Sequence, residues 1–132
     1  MTARKNALLT PLAVFSPLSR DELIRAVDDC LGVPSENNRS TRLHGPIGKW
    51  DVSQVTNMSK IFRDLAYFNY TLSNWDVSRV TNMELMFDEA SSFQQTLCGA
   101  AWVNSKASKD EMFTHSLGSI SDTVRGTWWM LW

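Results

Sequence analysis

The sequence predicts an α/β fold: a short solenoid with one short strand and one short helix per 25-residue repeat, a capping helix before the array and a degenerate capping copy after it. Three observations predict it. The first is self-similarity: residues 50–74 and 75–99 agree at 12 of 25 positions. The matches are Trp50/Trp75, Asp51/Asp76, Val52/Val77, Ser53/Ser78, Val55/Val80, Thr56/Thr81, Asn57/Asn82, Met58/Met83, Phe62/Phe87, Phe68/Phe93, Thr71/Thr96 and Leu72/Leu97. The second is the spacing of apolar residues inside each copy, and the third is a helix signature just before the array. Neither copy can bury its apolar side alone, so equivalent side chains must stack from copy to copy.

The chain divides into an arm (1–18), a capping helix and loop (19–42), the repeat core (43–99), a closing copy (100–126) and an aromatic tail (127–132), all in one domain. In the arm, Arg4 and Lys5 precede a short apolar stretch broken by Pro11, which faintly resembles a signal peptide without a small-x-small cleavage site and is expected to be an ordered or tethered N-terminal arm. Ser19 and Glu22 have capping-box spacing, Leu23, Ile24, Val27, Cys30 and Leu31 line one face, and Gly32 with Pro34 ends the helix. It is expected to exclude water from Leu43, Ile47 and Trp50 at the first open end. Residues 34–42 read as a polar surface loop.

Within the core, Met58, Ile61, Phe62 and Leu65 follow i, i+3, i+4, i+7, and Met83, Met86, Phe87 and Ala90 repeat the pattern. That spacing predicts helices near 57–66 and 82–90, the second capped by Thr81 with Glu84. The stretches 47–52 and 72–77 read as short strands running into tight turns. Stacking at about 4.8 Å would place Trp50 against Trp75, Phe62 against Phe87 and Phe68 against Phe93 as apolar ladders, with Met58 and Met83 beside them. Asp51, Asp76, Ser53, Ser78, Asn57 and Asn82 fall where the chain turns, and their short polar side chains suit turn caps. Downstream, Met112 and Phe113 follow Met86 and Phe87 by 26 residues and Trp102 follows Trp75 by 27, the blurred register of a closing unit.

Charge and motifs narrow the function. A net charge of −1, split into +2 over residues 1–49 and −3 over 50–132, gives no basic footprint for nucleic acid. His44 and His115 lack zinc-ligand spacing, and no phosphate loop, nucleophile elbow or dinucleotide fingerprint is present. We therefore expect no enzyme, no cofactor and no metal. A metal-dependent enzyme using Asp51, Asp76 or a histidine is the remote alternative. Cys30 and Cys98 are expected as buried free thiols, with a single disulfide as the other possibility. The uncharged end, Trp128, Trp129, Met130, Leu131 and Trp132, has no place in the period and is the expected partner-binding element, since tryptophan is favoured at interface hot spots and at bilayer headgroups.

The string W-D-V-S-x-V-T-N-M-x-x-[IM]-F, followed by F-[NQ]-x-x-L, resembles the repeat of the BspA-like surface-protein family, a leucine-rich-repeat-like group. The resemblance is specific over 50–99 and looser over 43–49 and 97–120. Ile61, Leu65 and Gln94 depart from the family's common residues without threatening the fold. The resemblance implies a binding or adhesion solenoid without catalysis. The resulting expectation is a scaffold module or peripheral linker subunit, docked on a larger protein assembly that includes membrane-bound (for example photosynthetic or respiratory) complexes. Contact with a membrane surface through the tail fits a location peripheral to a membrane better than free cytosol, and a cell-surface adhesin is the alternative.

Overall fold

Ser19 opens the longest helix among the described residues, as its spacing predicts. The computed structural model describes residues 13–31 and 44–124, and helix α1 runs over Arg20–Leu31. Ser19 Oγ accepts from the Glu22 N–H at 3.2 Å, and the Glu22 carboxylate reaches back to the Leu18 N–H at 3.1 Å. Two N–H groups at the helix start thereby gain partners. Asp21 and Glu22 also place negative charge at the positive end of the helix dipole. Leu23, Ala26 and Val27 face the core, while Ile24, Cys30 and Leu31 are half-buried beside it. Both cysteines are free and half-buried rather than fully buried. Leu43, the loop at 34–42 and the tail from Trp128 to Trp132 lie outside the described residues.

Beyond α1, the chain forms three successive segments joined side by side through their backbones. Met58, Lys60, Phe62 and Asp64 donate their N–H groups to Asn82, Glu84, Met86 and Asp88 at 2.8–3.1 Å. Met83, Leu85, Phe87 and Glu89 donate in the same way to Ser108, Asp110, Met112 and Thr114 at 2.8–3.0 Å. Alternate residues thus reach the next segment, and parallel bridges join Asn57 to Asn82 and Asn82 to Ser108. The residues between them bond locally from i to i−3, as in Arg63 to Lys60, Asp88 to Leu85 and Thr114 to Glu111.

This alternation corrects the helices expected near 57–66 and 82–90. Both stretches are runs of turns. Lys60 and Asp64, then Leu85 and Glu89, then Glu111 and His115, all adopt left-handed backbone with φ between 55° and 65°. A left-handed residue every fourth position ends any right-handed helix before it forms a second turn. The four-residue rhythm still places Met58, Ile61, Phe62, Met83, Met86, Phe87 and Ala90 inside, so the apolar face was legible although the element was not. The capping box expected from Thr81 and Glu84 is replaced by an Asx turn in which Asn82 Oδ1 accepts from the Glu84 N–H at 2.9 Å, matched by Asn57 and Ser59.

The strands expected at 47–52 and 72–77 are also absent. Ile47–Lys49 forms a single 3-10 turn, and Leu72 begins a hydrogen-bonded turn through Ser73 and Asn74. At both places the backbone closes a local turn instead, with Ile47 accepting from Trp50 N at 3.2 Å and Leu72 from Trp75 N at 3.0 Å. Among the described residues one strand pair forms, the parallel β1 (Thr96–Leu97) with β2 (Ser119–Ile120). Between them α2, Ala100–Val103, accommodates the longer interval before the third segment and buries Trp102. Gly99 precedes it because a Cβ there would lie 2.0 Å from the Ser73 carbonyl oxygen.

The left-handed positions give a test at exposed Lys60. Lys60→Gly is expected to hold or raise stability by up to about 1 kcal/mol, and Lys60→Ile to lower it by about 1 kcal/mol or more. Thermal unfolding followed by circular dichroism reads this order, which a helix at 57–66 would reverse.

Candidate interaction face

The aromatic side chains of the repeat set how firmly any exposed group is held. Phe62 stacks on Phe87 at 5.2 Å and Phe68 on Phe93 at 5.6 Å, with interplanar angles of 14° and 18°. Within a segment, Phe62 meets Phe68 at 4.3 Å and Phe87 meets Phe93 at 4.1 Å. Phe113 extends the column at 5.5 Å from Phe87. Each such ring removes about 150 Å² or more from water. Met58 and Met83 are fully buried beside them.

The tryptophans hold the segments together in another way. The Trp75 indole N–H donates to the Ile47 carbonyl and that of Trp102 to the Leu72 carbonyl, each at 2.8 Å and buried. Trp50 donates to Gly45 at 3.1 Å and lies edge-on to Phe15 at 5.0 Å. Each of these indoles buries an apolar body while its one polar atom gains a partner. The Phe15 carbonyl also accepts from Asp51 N at 2.9 Å, tying the stretch before α1 to the first segment.

Polar groups repeat the same register outside. Asp51 Oδ1 accepts from Ser53 N and Asp76 Oδ1 from Ser78 N, each at 3.0 Å, so both aspartates cap turns. Hydrogen bonds from the serine hydroxyl and then the serine N–H hold both carboxyls below the usual value of 3.8. Burial opposes this in both, and at Asp76 the charge of Asp51 opposes it as well while that of Arg79 adds to the lowering. Arg63 Nε donates to Asp88 Oδ2 at 3.0 Å, Arg79 to Gln54 at 3.0 Å and Gln95 to Asn69 at 2.9 Å, each linking adjacent segments. Lys109 donates to the Ser105 and Ala107 carbonyls at 2.9 and 3.0 Å, and burial, with Lys106 adding repulsion, lowers its pKa.

Asp88, Glu89 and His115 bring one ligand atom each to within 4.8 Å of one another. Asp88 is engaged by Arg63, and Glu89 Oε1 lies 2.7 Å from His115 Nδ1. The three groups are therefore already paired across segments. The sequence pattern does not join His115 to Asp88 and Glu89, because His115 follows Glu89 by 26 residues and so falls off the 25-residue register.

The described surface carries a pair of exposed aromatic side chains. Tyr67 is 93% exposed and Tyr70 51% exposed. Two recesses flank them, one of about 400 Å³ lined by Leu31, Asp64, Leu65 and Tyr67, the other of about 410 Å³ lined by Cys30, Ile47, Lys49 and Asn74. Tyr70 borders both. Large amphipathic rings held on a rigid base contribute contact area with little ordering cost. The tyrosines have no counterpart in the second copy, where Ser92 and Gln95 stand 25 residues on, so the repeat pattern did not single them out.

Residues 35–125 match a family model described as "Mycoplasma protein of unknown function, DUF285". The match covers more than half of the chain, and the protein belongs to that family. Comparisons with curated proteins and with solved structures returned no match. Among the described residues, no helix is long and apolar enough to cross a membrane.

The turn caps set an acid limit on stability. Because folding lowers the Asp51 and Asp76 pKa values, their contribution is present above the ordinary carboxylate value and fades as pH falls through the folded ones. The melting midpoint should hold at neutral pH and drop below about pH 4. The double variant Asp51→Ala/Asp76→Ala should melt lower at neutral pH and show a shallower acid dependence, measured by thermal scans across pH.

Proposed function

We propose that the protein is a non-enzymatic interaction module, a short leucine-rich-repeat-like solenoid of the BspA-like type that presents a rigid face to a protein partner. The partner is one component of a larger assembly, which the module joins as a peripheral or linker subunit, and the tryptophan-rich end from Trp128 to Trp132 supplies further contact. The observation that carries the reading is the exposure of Tyr67 and Tyr70 between two recesses, on a base of stacked buried rings. Copy-to-copy bonding through both backbone and side chains supports it, since a surface held this way loses little freedom on binding. The uncharged aromatic tail supports attachment to an assembly that includes membrane surfaces.

Size-exclusion chromatography and native mass spectrometry of material from the cells that make the protein test the reading. The wild type is expected in a complex well above its 15.0 kDa mass. Tyr67→Ala/Tyr70→Ala and Trp129→Ala/Trp132→Ala are expected to weaken that association at least 10-fold with melting midpoints little changed. Association unchanged in both variants, or a wild type that is monomeric in its native extract, would contradict it.

A further inference from the structure

The first two copies meet directly, whereas the second and third part to leave a recess. At the first junction Thr81 donates its N–H and its hydroxyl to the Thr56 carbonyl at 2.8 and 3.2 Å, and Arg79 Nη1 donates to Gln54 Oε1 at 3.0 Å. At the second junction the chain has two more residues to place, since Trp102 follows Trp75 by 27 positions where Trp75 follows Trp50 by 25. Helix α2 takes them up, together with a turn in which Ser105 N donates to the Trp102 carbonyl at 3.2 Å. The third segment rejoins the second at Ser108, whose N–H donates to the Thr81 carbonyl at 3.0 Å. The detour leaves about 520 Å³ between the turn at 78–81 and residues 100–106, a volume within the range of small-ligand sites.

Charge in this recess is of one sign. Its lining holds Arg79 and Lys106 and no carboxylate, although residues 50–132 carry 9 acidic and 6 basic side chains. Arg79 gives one N–H to Gln54 and keeps the others, and Lys106 has neither a hydrogen bond nor an ion pair among the described residues. Asn104 adds an amide and Ser105 a hydroxyl, whose Oγ accepts from Ala107 N at 3.2 Å and can still donate. Asp76 lies near enough to feel Arg79, but its Oδ1 caps the turn at Ser78. Lys109 is turned to the Ser105 and Ala107 carbonyls, and its pKa is lowered by burial and then by repulsion from Lys106, so positive charge is concentrated here. Cations without partners beside a recess attract an anion. The rest of the lining includes Val80, Ala100 and Ala101, so a fitting occupant carries apolar atoms beside its charge. An acidic residue in an extended peptide has both, whereas inorganic phosphate has only the charge.

We propose that this recess binds an acidic peptide segment of a protein partner, its carboxylates held by Arg79 and Lys106, its polar backbone met by Asn104 and Ser105, and its apolar atoms resting on Ala100 and Ala101. The kind of partner rests on the reading of the chain as an interaction module; the site itself shares no residue with the Tyr67 and Tyr70 face. Complementary charge at such a contact sets orientation and speeds encounter, while the tyrosines contribute contact area. The two extra residues of the third copy thus do more than lengthen a loop, because without them the second junction would close as the first does.

Titration of the 15N-labelled full chain with an acetylated and amidated Glu-Ala-Glu-Ala-Glu peptide, read by NMR, tests it. Saturable shifts are expected at the amides of residues 78–81 and 100–106, with a Kd of about 1 mM, the strength of two charge-assisted hydrogen bonds. Binding should weaken as salt is raised. Arg79→Gln/Lys106→Gln is expected to weaken it about 10-fold or more. Lys106→Gln alone, which breaks no contact of the fold, should weaken it about 3-fold with an unchanged melting midpoint. Tyr67→Ala/Tyr70→Ala is expected to leave the titration as in the wild type, so this site and the tyrosine face stand or fail separately. Absence of shifts at these amides, equal shifts with the Gln-Ala-Gln-Ala-Gln peptide, or tighter binding of inorganic phosphate than of the acidic peptide overturns the proposal.

Discussion

Hydrogen bonding between alternate residues of neighbouring copies is the constraint on which the rest of this structure depends. Every second N–H in residues 58–64 and 83–89 points to the next copy, while those of Arg63, Met86 and Asp88 close local turns and those of Ser59 and Glu84 go to asparagine side chains. With the backbone so committed, one spacing governs all side chains above it. Phenylalanines at equivalent positions come to stacking distance, indoles reach the carbonyl of the preceding copy, and arginines find acidic or amide partners one copy away. Each backbone bond contributes only about 1 kcal/mol net. Their effect is larger through the core, since burying each large ring contributes about 1.5–3 kcal/mol and the rings meet only if the register holds.

That commitment also explains the unusual backbone. A chain that donates outward at one residue and inward at the next cannot stay in one right-handed conformation, so it crosses into left-handed backbone at Lys60, Asp64, Leu85, Glu89, Glu111 and His115. Non-glycine residues at these positions cost about 1–2 kcal/mol each. The stacked core and turn caps offset that strain, and the short polar residues Asp51, Asn57, Asp76 and Asn82 recur because their oxygens satisfy N–H groups two residues on.

Much of this was legible in the sequence, for particular reasons. Identity at Trp50/Trp75 and Phe62/Phe87 marks residues that must match because they share one register, and Ser19 with Glu22 marks a helix start by local chemistry alone. The spacing of Met58, Ile61, Phe62 and Leu65 identified a buried face, but a four-residue turn rhythm and a 3.6-residue helix leave nearly the same apolar trace over two turns. Only the backbone separates them. Tyr67 and Tyr70 were not legible as a site, because the signal that exposes them is the absence of a matching residue in the next copy.

Amide hydrogen exchange resolved by residue tests the central claim most directly. If bonding between copies organises the fold, the N–H groups of Met58, Lys60, Phe62, Asp64, Met83, Leu85, Phe87 and Glu89 will be protected as one cooperative set, and a Phe87→Ala substitution will weaken protection in both series together. Unbroken protection of consecutive amides through 60–66 with its loss confined to one copy, as separate helices would give, would contradict it.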